Sequence, residues 1–266
     1  KFGNLRVLNF DKSEFLREIP DVSDLPNLKE LSFSGCENLI TVHHSIGFLN
    51  KLQILNAYGC SKLTTFPPLN LTSLERLELS NCWSLENFPE ILGEMKNISV
   101  LQLMDLNLKE LPISFQNLVG LKSLVLDNCE IGRFPSSIVL MPKLSFLKAT
   151  SCTGWQWVKS EEGEEKVGSR VCSNVFEFSV DGCNLYDDFF STGFMQLDHV
   201  KTLCLANNNF TFLPECFKEF QFLRRLDVRG CLHLQEIRGV PPNLKDFRAL
   251  ECISLSSSSS SMLSNQ

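Results

Sequence analysis

Leu28-Lys-Glu-Leu31-Ser-Phe33-Ser-Gly-Cys36 is followed 24 residues later by Leu52-Gln-Ile-Leu55-Asn-Ala57-Tyr-Gly-Cys60. The same string, Leu-x-x-Leu-x-Leu-x-x-Cys, returns at Leu74/Leu77/Leu79/Cys82 and at Leu121/Leu124/Leu126/Cys129. Weaker copies start at Leu5, Ile98, Leu144, Val175, Val200, Leu223 and Leu244. Eleven units result, with successive starts 23, 24, 22, 24, 23, 23, 31, 25, 23 and 21 residues apart. A unit this short cannot bury its own apolar face, so each stacks on its neighbours. Such a coil displays a long open surface and builds no pocket of its own. Recognition, rather than chemistry, is the function it favours.

Period and pattern together are those of a leucine-rich repeat. The reading is an α/β repeat solenoid, a horseshoe with a parallel concave β-sheet and short helical or irregular convex segments. Each unit should be a short strand, a turn and a return segment. Alternation of period two places the leucines inside and the intervening residues on the open face. One continuous sheet of eleven strands would be roughly 50 Å long. The return segments end in an apolar-Pro step at Ile19-Pro20, Phe66-Pro67, Phe88-Pro89, Leu111-Pro112, Phe134-Pro135 and Leu213-Pro214. Proline cannot donate to a ladder and holds the residue before it extended. Short helical turns such as Ser136-Ser-Ile138 and Glu215-Cys-Phe217 should follow. The domain reading is repeats over 1–253, with an insertion at 153–174, and a serine-rich disordered tail over 254–266. Within the insertion, Trp155 and Trp157 should pack over the coil edge. The charged run Lys159-Ser-Glu-Glu-Gly-Glu-Glu-Lys166 should be a solvated loop.

Eight of the eleven cysteines hold one slot of the repeat: Cys36, Cys60, Cys82, Cys129, Cys152, Cys183, Cys231 and Cys252. Ser13, Leu106 and Asn208 hold it in the other units. The slot closes the strand and points inward, where a thiol is a weak donor to turn backbone. There is no C-x-x-C and no paired His motif, so a structural ladder is preferred over a metal site or a disulfide framework. A column of buried free thiols suits a reducing compartment and favours a cytoplasmic location. The acceptor motifs at Asn70, Asn97 and Asn209 are as frequent as chance would place them.

The formal net charge is −6. No basic excess is present to neutralise phosphates, which argues against a nucleic-acid partner. No apolar run approaches the ~18 residues of a membrane span. Phosphate-binding loops, zinc-protease helices and nucleophile elbows are missing from the sequence. His43 and His44 fall in a post-strand turn and read as solvated. The carboxylates are scattered, so no acid/base pair can be named. The reading is a chain without catalytic, cofactor or metal sites.

The informative residues lie between the core leucines. Alternation sends Ile54, Tyr58, Val100, Met104, Val125 and Phe146 outward in the middle repeats. Exposed apolar residues on a sheet face call for a reason. They either pack on one another, lie under another domain, or anchor a ligand. Further along, the same columns become charged: Glu177 and Asp181, then Arg225, Asp227, Arg229 and Arg248. A run of arginines on one edge could steer an acidic partner.

Four stretches carry a closer resemblance. They are Leu16-Arg-Glu-Ile-Pro-Asp-Val-Ser23 with Leu28 to Cys36, Cys82-Trp-Ser-Leu-Glu-Asn-Phe-Pro89, Gly154-Trp-Gln-Trp-Val-Lys-Ser-Glu-Glu-Gly163, and Asp181-Gly-Cys-Asn-Leu-Tyr-Asp-Asp-Phe-Phe190. Over essentially its whole length the chain resembles the repeat region of plant intracellular immune receptors of the TIR-NBS-LRR type, those of legumes in particular. The resemblance implies upstream TIR and nucleotide-binding domains and a C-terminal post-repeat domain, none of them present in this sequence. ADP or ATP would bind to that missing switch, and any NAD cleavage would belong to the TIR domain. The implied partners of the repeats are a pathogen effector or host guardee protein and, within the receptor, the nucleotide-binding domain. The alternative from another class is a substrate-recognition repeat of a ubiquitin-ligase adaptor, with longer units that are helical on the return side.

Overall fold

Each of the eleven units opens with a short strand two residues after its first apolar position, as alternation requires. In the computed structural model, which describes residues 2–158, 173–191 and 193–257, the strands are β1 (Val7–Asn9), β2 (Glu30–Ser32), β3 (Ile54–Asn56), β4 (Arg76–Glu78), β5 (Val100–Met104), β6 (Ser123–Asp127), β7 (Phe146–Thr150), β8 (Glu177–Asp181), β9 (Thr202–Cys204), β10 (Arg225–Asp227) and β11 (Asp246–Arg248). The chain divides into two compact units, Lys1–Gly132 and Arg133–Gln266.

In the first unit β1, β2, β3 and β4 form a parallel ladder in register, with Leu8, Leu31, Leu55 and Leu77 side by side. A second ladder starts at β5, which pairs with β6 over Val100↔Ser123 to Met104↔Asp127. The continuous sheet expected from the repeat is therefore broken between β4 and β5. At the break the Ser80 hydroxyl accepts the Met104 N–H at 3.2 Å, a side chain taking the place of a strand carbonyl. In the second unit β7, β8, β9, β10 and β11 pair in sequence order, all parallel.

Leucines and phenylalanines at the inward positions are buried, among them Leu28, Leu31, Phe33, Leu52, Leu55, Leu121, Leu124, Leu126, Phe178 and Leu203. Each such side chain contributes roughly 1.5–3 kcal/mol by leaving water, which is what holds one coil on the next. Strand-to-turn reversal uses one device throughout. The residue before the cysteine slot has positive φ in every unit: Lys12, Gly35, Gly59, Asn81, Asp105, Asn128, Ser151, Gly182, Asn207, Gly230 and Glu251. Gly and Asn tolerate this left-handed conformation best, and they fill most of these positions.

The helical pieces of the return segments are 3-10 turns: His44–Phe48, Ile113–Asn117, Ser136–Leu140, Asp187–Phe190, Phe194–Gln196 and Glu215–Glu219. Pro112, Pro135 and Pro214 cap three of them in extended geometry, with φ of −68°, −61° and −72°. The apolar-Pro step thus sets where a turn begins, because proline supplies the φ and needs no donor. The unit that starts at Val175 carries two 3-10 turns, Asp187–Phe190 and Phe194–Gln196.

Insertion and tail are described only in part. Phe134 and Pro135 pair in parallel with Trp157 and Val158. The charged run 159–166 lies outside the described residues, as does the tail from 258 onward. No helix among the described residues is long and apolar enough to cross a membrane.

Candidate functional site

The sheet face of the first unit carries apolar side chains in water. Tyr58, Val100 and Met104 are 46%, 53% and 40% exposed. Ile54 and Val125 are half-buried. The stripe is not continuous. Between the coil of Ile54 and Tyr58 and that of Val100 and Met104 runs β4, which places Arg76 on the Ile54 column and Glu78 on the Asn56 column. Glu78 turns back to accept the Ser80 N–H at 2.9 Å, and Asn56 does the same for Tyr58 at 3.0 Å. These contacts hold the face rigid beneath the exposed tips.

In the second unit Phe146 is half-buried at the start of β7, and beyond it the columns are ionic. Arg225 and Arg248 share Asp246, at 2.9 and 3.0 Å. The hydrogen bond from Arg248, together with the charge of Arg225, holds the Asp246 carboxyl below the usual aspartate range. Arg229 reaches Asp227 at 2.7 Å, and the Arg229 N–H also bonds that carboxylate. The side-chain hydrogen bond to Asp227, with that carboxylate's charge, raises the guanidinium above its ordinary value. Asp227 corrects the sequence reading: it is 6% exposed rather than presented to solvent. Its own arginine lies over it. The three arginines named from the sequence therefore all carry carboxylate partners.

The cysteine slot bonds as well as packs. Cys36, Cys60, Cys82, Cys129, Cys183, Cys231 and Cys252 each direct Sγ to a strand-end carbonyl of the preceding coil: Phe10, Phe33, Ala57, Leu103, Ala149, Leu205 and Val228. Cys152 directs its thiol to the Thr150 carbonyl. Burial pushes the Cys231 thiol up to about 12. Cys252, on the last coil, is only half-buried, so the column is not buried throughout. Asn208 does more in the same slot. Its amide donates to the Val180, Leu205 and Ala206 carbonyls at 2.7, 2.9 and 3.0 Å, and its oxygen accepts the Cys183 and Leu185 N–H groups, both at 3.1 Å. The polarity of Asn at this position is the sequence signal for that role.

Both tryptophans of the insertion pack against the coil. Trp155 stacks on Phe134 at 4.0 Å between centroids and 18° between planes. Trp157 donates its Nε1–H to the Phe189 carbonyl at 3.1 Å. Gly193 is needed there, since a Cβ would come within 2.6 Å of the Trp157 ring. The Asp187-Asp-Phe-Phe190 stretch is the other wall: Phe189 contacts both indoles, and Phe190 reaches Phe194, Phe210 and Phe217. These residues form a core, not a ligand cage.

His43 departs from the solvated reading. It caps the His44–Phe48 turn, its Nδ1 facing the Ser45 hydroxyl at 2.9 Å, and it lies 3.6 Å from Asp21. His43 is half-buried, whereas His44 is exposed, as the solvated reading expected. Among the described residues no group of three or more His, Cys, Asp or Glu is placed to hold a metal ion. Two open grooves are present. One of about 500 Å³ is lined by Pro214, Glu215, Glu236, Ile237 and Arg238, the other of about 280 Å³ by Asn4, Arg6, Asn27, Lys29 and Lys51. Neither combines a nucleophile with a base, so acid/base or nucleophilic chemistry finds no support in them.

The chain is 29% identical to TMV resistance protein N of Nicotiana glutinosa, over 92% of its own length and 25% of that protein's. It is likewise 29% identical to disease resistance protein RPS4B of Arabidopsis thaliana, over 95% of its length and 20% of that protein's. It thus spans no more than about a quarter of these relatives. The leucine-rich repeat domain of the type III effector XopL superposes with a TM-score of 0.59 at 21% identity, covering 92% of this chain and 77% of that one; that likeness shows the fold. The family described as "Disease resistance protein RPS4B-like, leucine-rich repeats" matches residues 69–263. The chain belongs to this family of plant disease-resistance leucine-rich repeats.

Proposed function

We propose that this repeat region is the recognition and autoinhibition module of an intracellular plant immune receptor. It senses a pathogen effector or a modified host protein and restrains a nucleotide-binding switch elsewhere in the receptor. ADP or ATP would be bound by that switch and not by the repeats. The observation that carries the reading is the exposure of Tyr58, Val100 and Met104 on the sheet face of the first unit. Aromatic and Met side chains supply the anchoring contacts at protein interfaces. The two roles then fit one surface: the effector and the switch differentially stabilise two states of the receptor, and a ligand can shift the balance only by that difference.

The test replaces Tyr58, Val100 and Met104 with Ser in the full receptor expressed in leaf tissue. Cell death without effector assigns the face to restraint. Loss of response at normal accumulation assigns it to ligand recognition. An unchanged receptor in both assays refutes the reading for this face.

A further inference from the structure

Three consecutive strands of the second unit begin directly after a cation. Lys201 precedes β9, Arg224 precedes β10 and Lys245 precedes β11, and all three are exposed. The Arg224 N–H donates to the Lys201 carbonyl at 2.9 Å and the Lys245 N–H to the Arg224 carbonyl at 2.8 Å. The side chains therefore stack at the strand spacing of about 4.8 Å. Further along the same coils, Arg225 and Arg248 take Asp246, and Arg229 takes Asp227. Lys201, Arg224 and Lys245 have no ion-pair partner among the described residues. Like charges directly opposite one another on neighbouring strands are unfavourable, so the row is a standing cost to the free protein.

The row has apolar flanks. Phe176, 45% exposed, occupies the same position before β8, and its carbonyl accepts the Lys201 N–H at 2.8 Å. Two residues before Arg224, Phe222 is 48% exposed and stacks on His199 at 4.9 Å and 16°. A partner must therefore offer carboxylates at about 5 Å intervals with apolar surface beside them. Residues three and four apart on a helix are about 5–6 Å apart. An extended strand spaces its same-side residues at about 6.6 Å, a poorer match. The net charge of −6 disfavours a long polyanion such as nucleic acid, whereas one acidic helix face needs only these few cations.

We infer that Lys201, Arg224 and Lys245, flanked by Phe176 and Phe222, form a docking row for an acidic amphipathic helix of a protein partner. It shares no residue with the Tyr58–Met104 face, and the two can fail separately.

The test is fluorescence anisotropy with the purified full chain. The probe is a labelled helical peptide bearing Glu at successive three- and four-residue spacings and Leu on the adjacent stripe. Expected is saturable, salt-sensitive binding that weakens about tenfold or more in Lys201→Ser/Arg224→Ser/Lys245→Ser. Arg6→Ser/Lys29→Ser/Lys51→Ser removes the same charge from the first unit and is expected to bind as the unmodified chain does. The row variant should melt no lower than the unmodified chain at low salt, since repulsion has been removed. No binding, equal weakening in both triple variants, a lowered melting temperature of the row variant, or tighter binding of poly(U) than of the peptide would each overturn the inference.

Discussion

The two units use the same inward leucines and the same turn device, yet they dress the sheet face in opposite ways. In the first unit Tyr58, Val100 and Met104 stand in water without partners. In the second, Arg225, Arg229 and Arg248 are closed into ion pairs with Asp227 and Asp246. Exposed apolar surface has much to gain from a partner. A surface ion pair is worth little to stability and must be taken apart before either charge can bind elsewhere. Charge on a face is therefore not the same as charge available to a ligand. The second unit makes this plain at Arg224 and Arg225, where an unpaired cation sits one residue before a paired one.

The units also differ inside. The first closes four of its coils with thiols, at Cys36, Cys60, Cys82 and Cys129, whereas the second adds Asn208 and the indoles of Trp155 and Trp157. The largest effect expected on stability is at Trp155. Trp155→Ala should cost about 3–5 kcal/mol by opening a cavity beside Phe134, seen as a lower denaturant midpoint. Trp155→Phe should be close to neutral, because the indole N–H it removes is buried without a hydrogen-bond partner. A large loss with Phe would mean that the indole is held by more than packing.

Asn208→Ala comes next. It strands the N–H groups of Cys183 and Leu185, for a cost on the order of 3 kcal/mol. Cys82→Ala in the first unit removes one weak sulfur bond and should cost about 1 kcal/mol. Equal losses by thermal melting would erase the distinction between the two kinds of slot.

For binding, serine at Tyr58, Val100 and Met104 should weaken a protein ligand of the sheet face by about 2 kcal/mol or more. Serine at Arg225, Arg229 and Arg248 should do much less. The reverse order, measured in the same pull-down or anisotropy titration, would move recognition to the ionic unit.

At the turns, Lys12→Gly and Ser151→Gly should each stabilise by about 1 kcal/mol, because a β-carbon is strained at φ of 58° and 54°. Melting temperatures decide this. A fall would mean that those side chains hold the turn.

The smallest effect is that of pH on Asp246. Its carboxyl is depressed in the fold, so the stabilisation it brings is present above the 3.8 of a free aspartate and disappears as the pH falls through the lower, folded value. Asp246→Asn should lower the melting temperature near neutrality and make no difference in stronger acid. A difference that persists in acid would assign the effect to packing.

Much of this was legible in the residue string. Period and alternation placed all eleven strands, because a core leucine can point only inward and the next residue only outward. Three of the six apolar-Pro steps, at Pro112, Pro135 and Pro214, marked 3-10 turns, because proline dictates φ locally. Gly or Asn before most of the cysteines announced the left-handed turn. Tyr58, Val100 and Met104 were found by alternation alone. What was not legible depended on which side chains meet in the fold, some two residues apart and some a coil apart. Asp227 was expected in solvent, His43 in a free turn, and the sheet unbroken between β4 and β5. Each was decided by a single side chain: Arg229 and Ser45, two residues further along the same coil, and Ser80 from the coil before.

The sequence by itself determined the coil, its inward face and its turns, since these follow from local backbone preference and from the burial of apolar residues at fixed spacing. Only the tertiary structure decided which outward charges are paired and which are free, because pairing depends on side-chain geometry within a coil and on distances between coils. Arg225 and Arg224 are adjacent in the chain, and only the former meets a carboxylate.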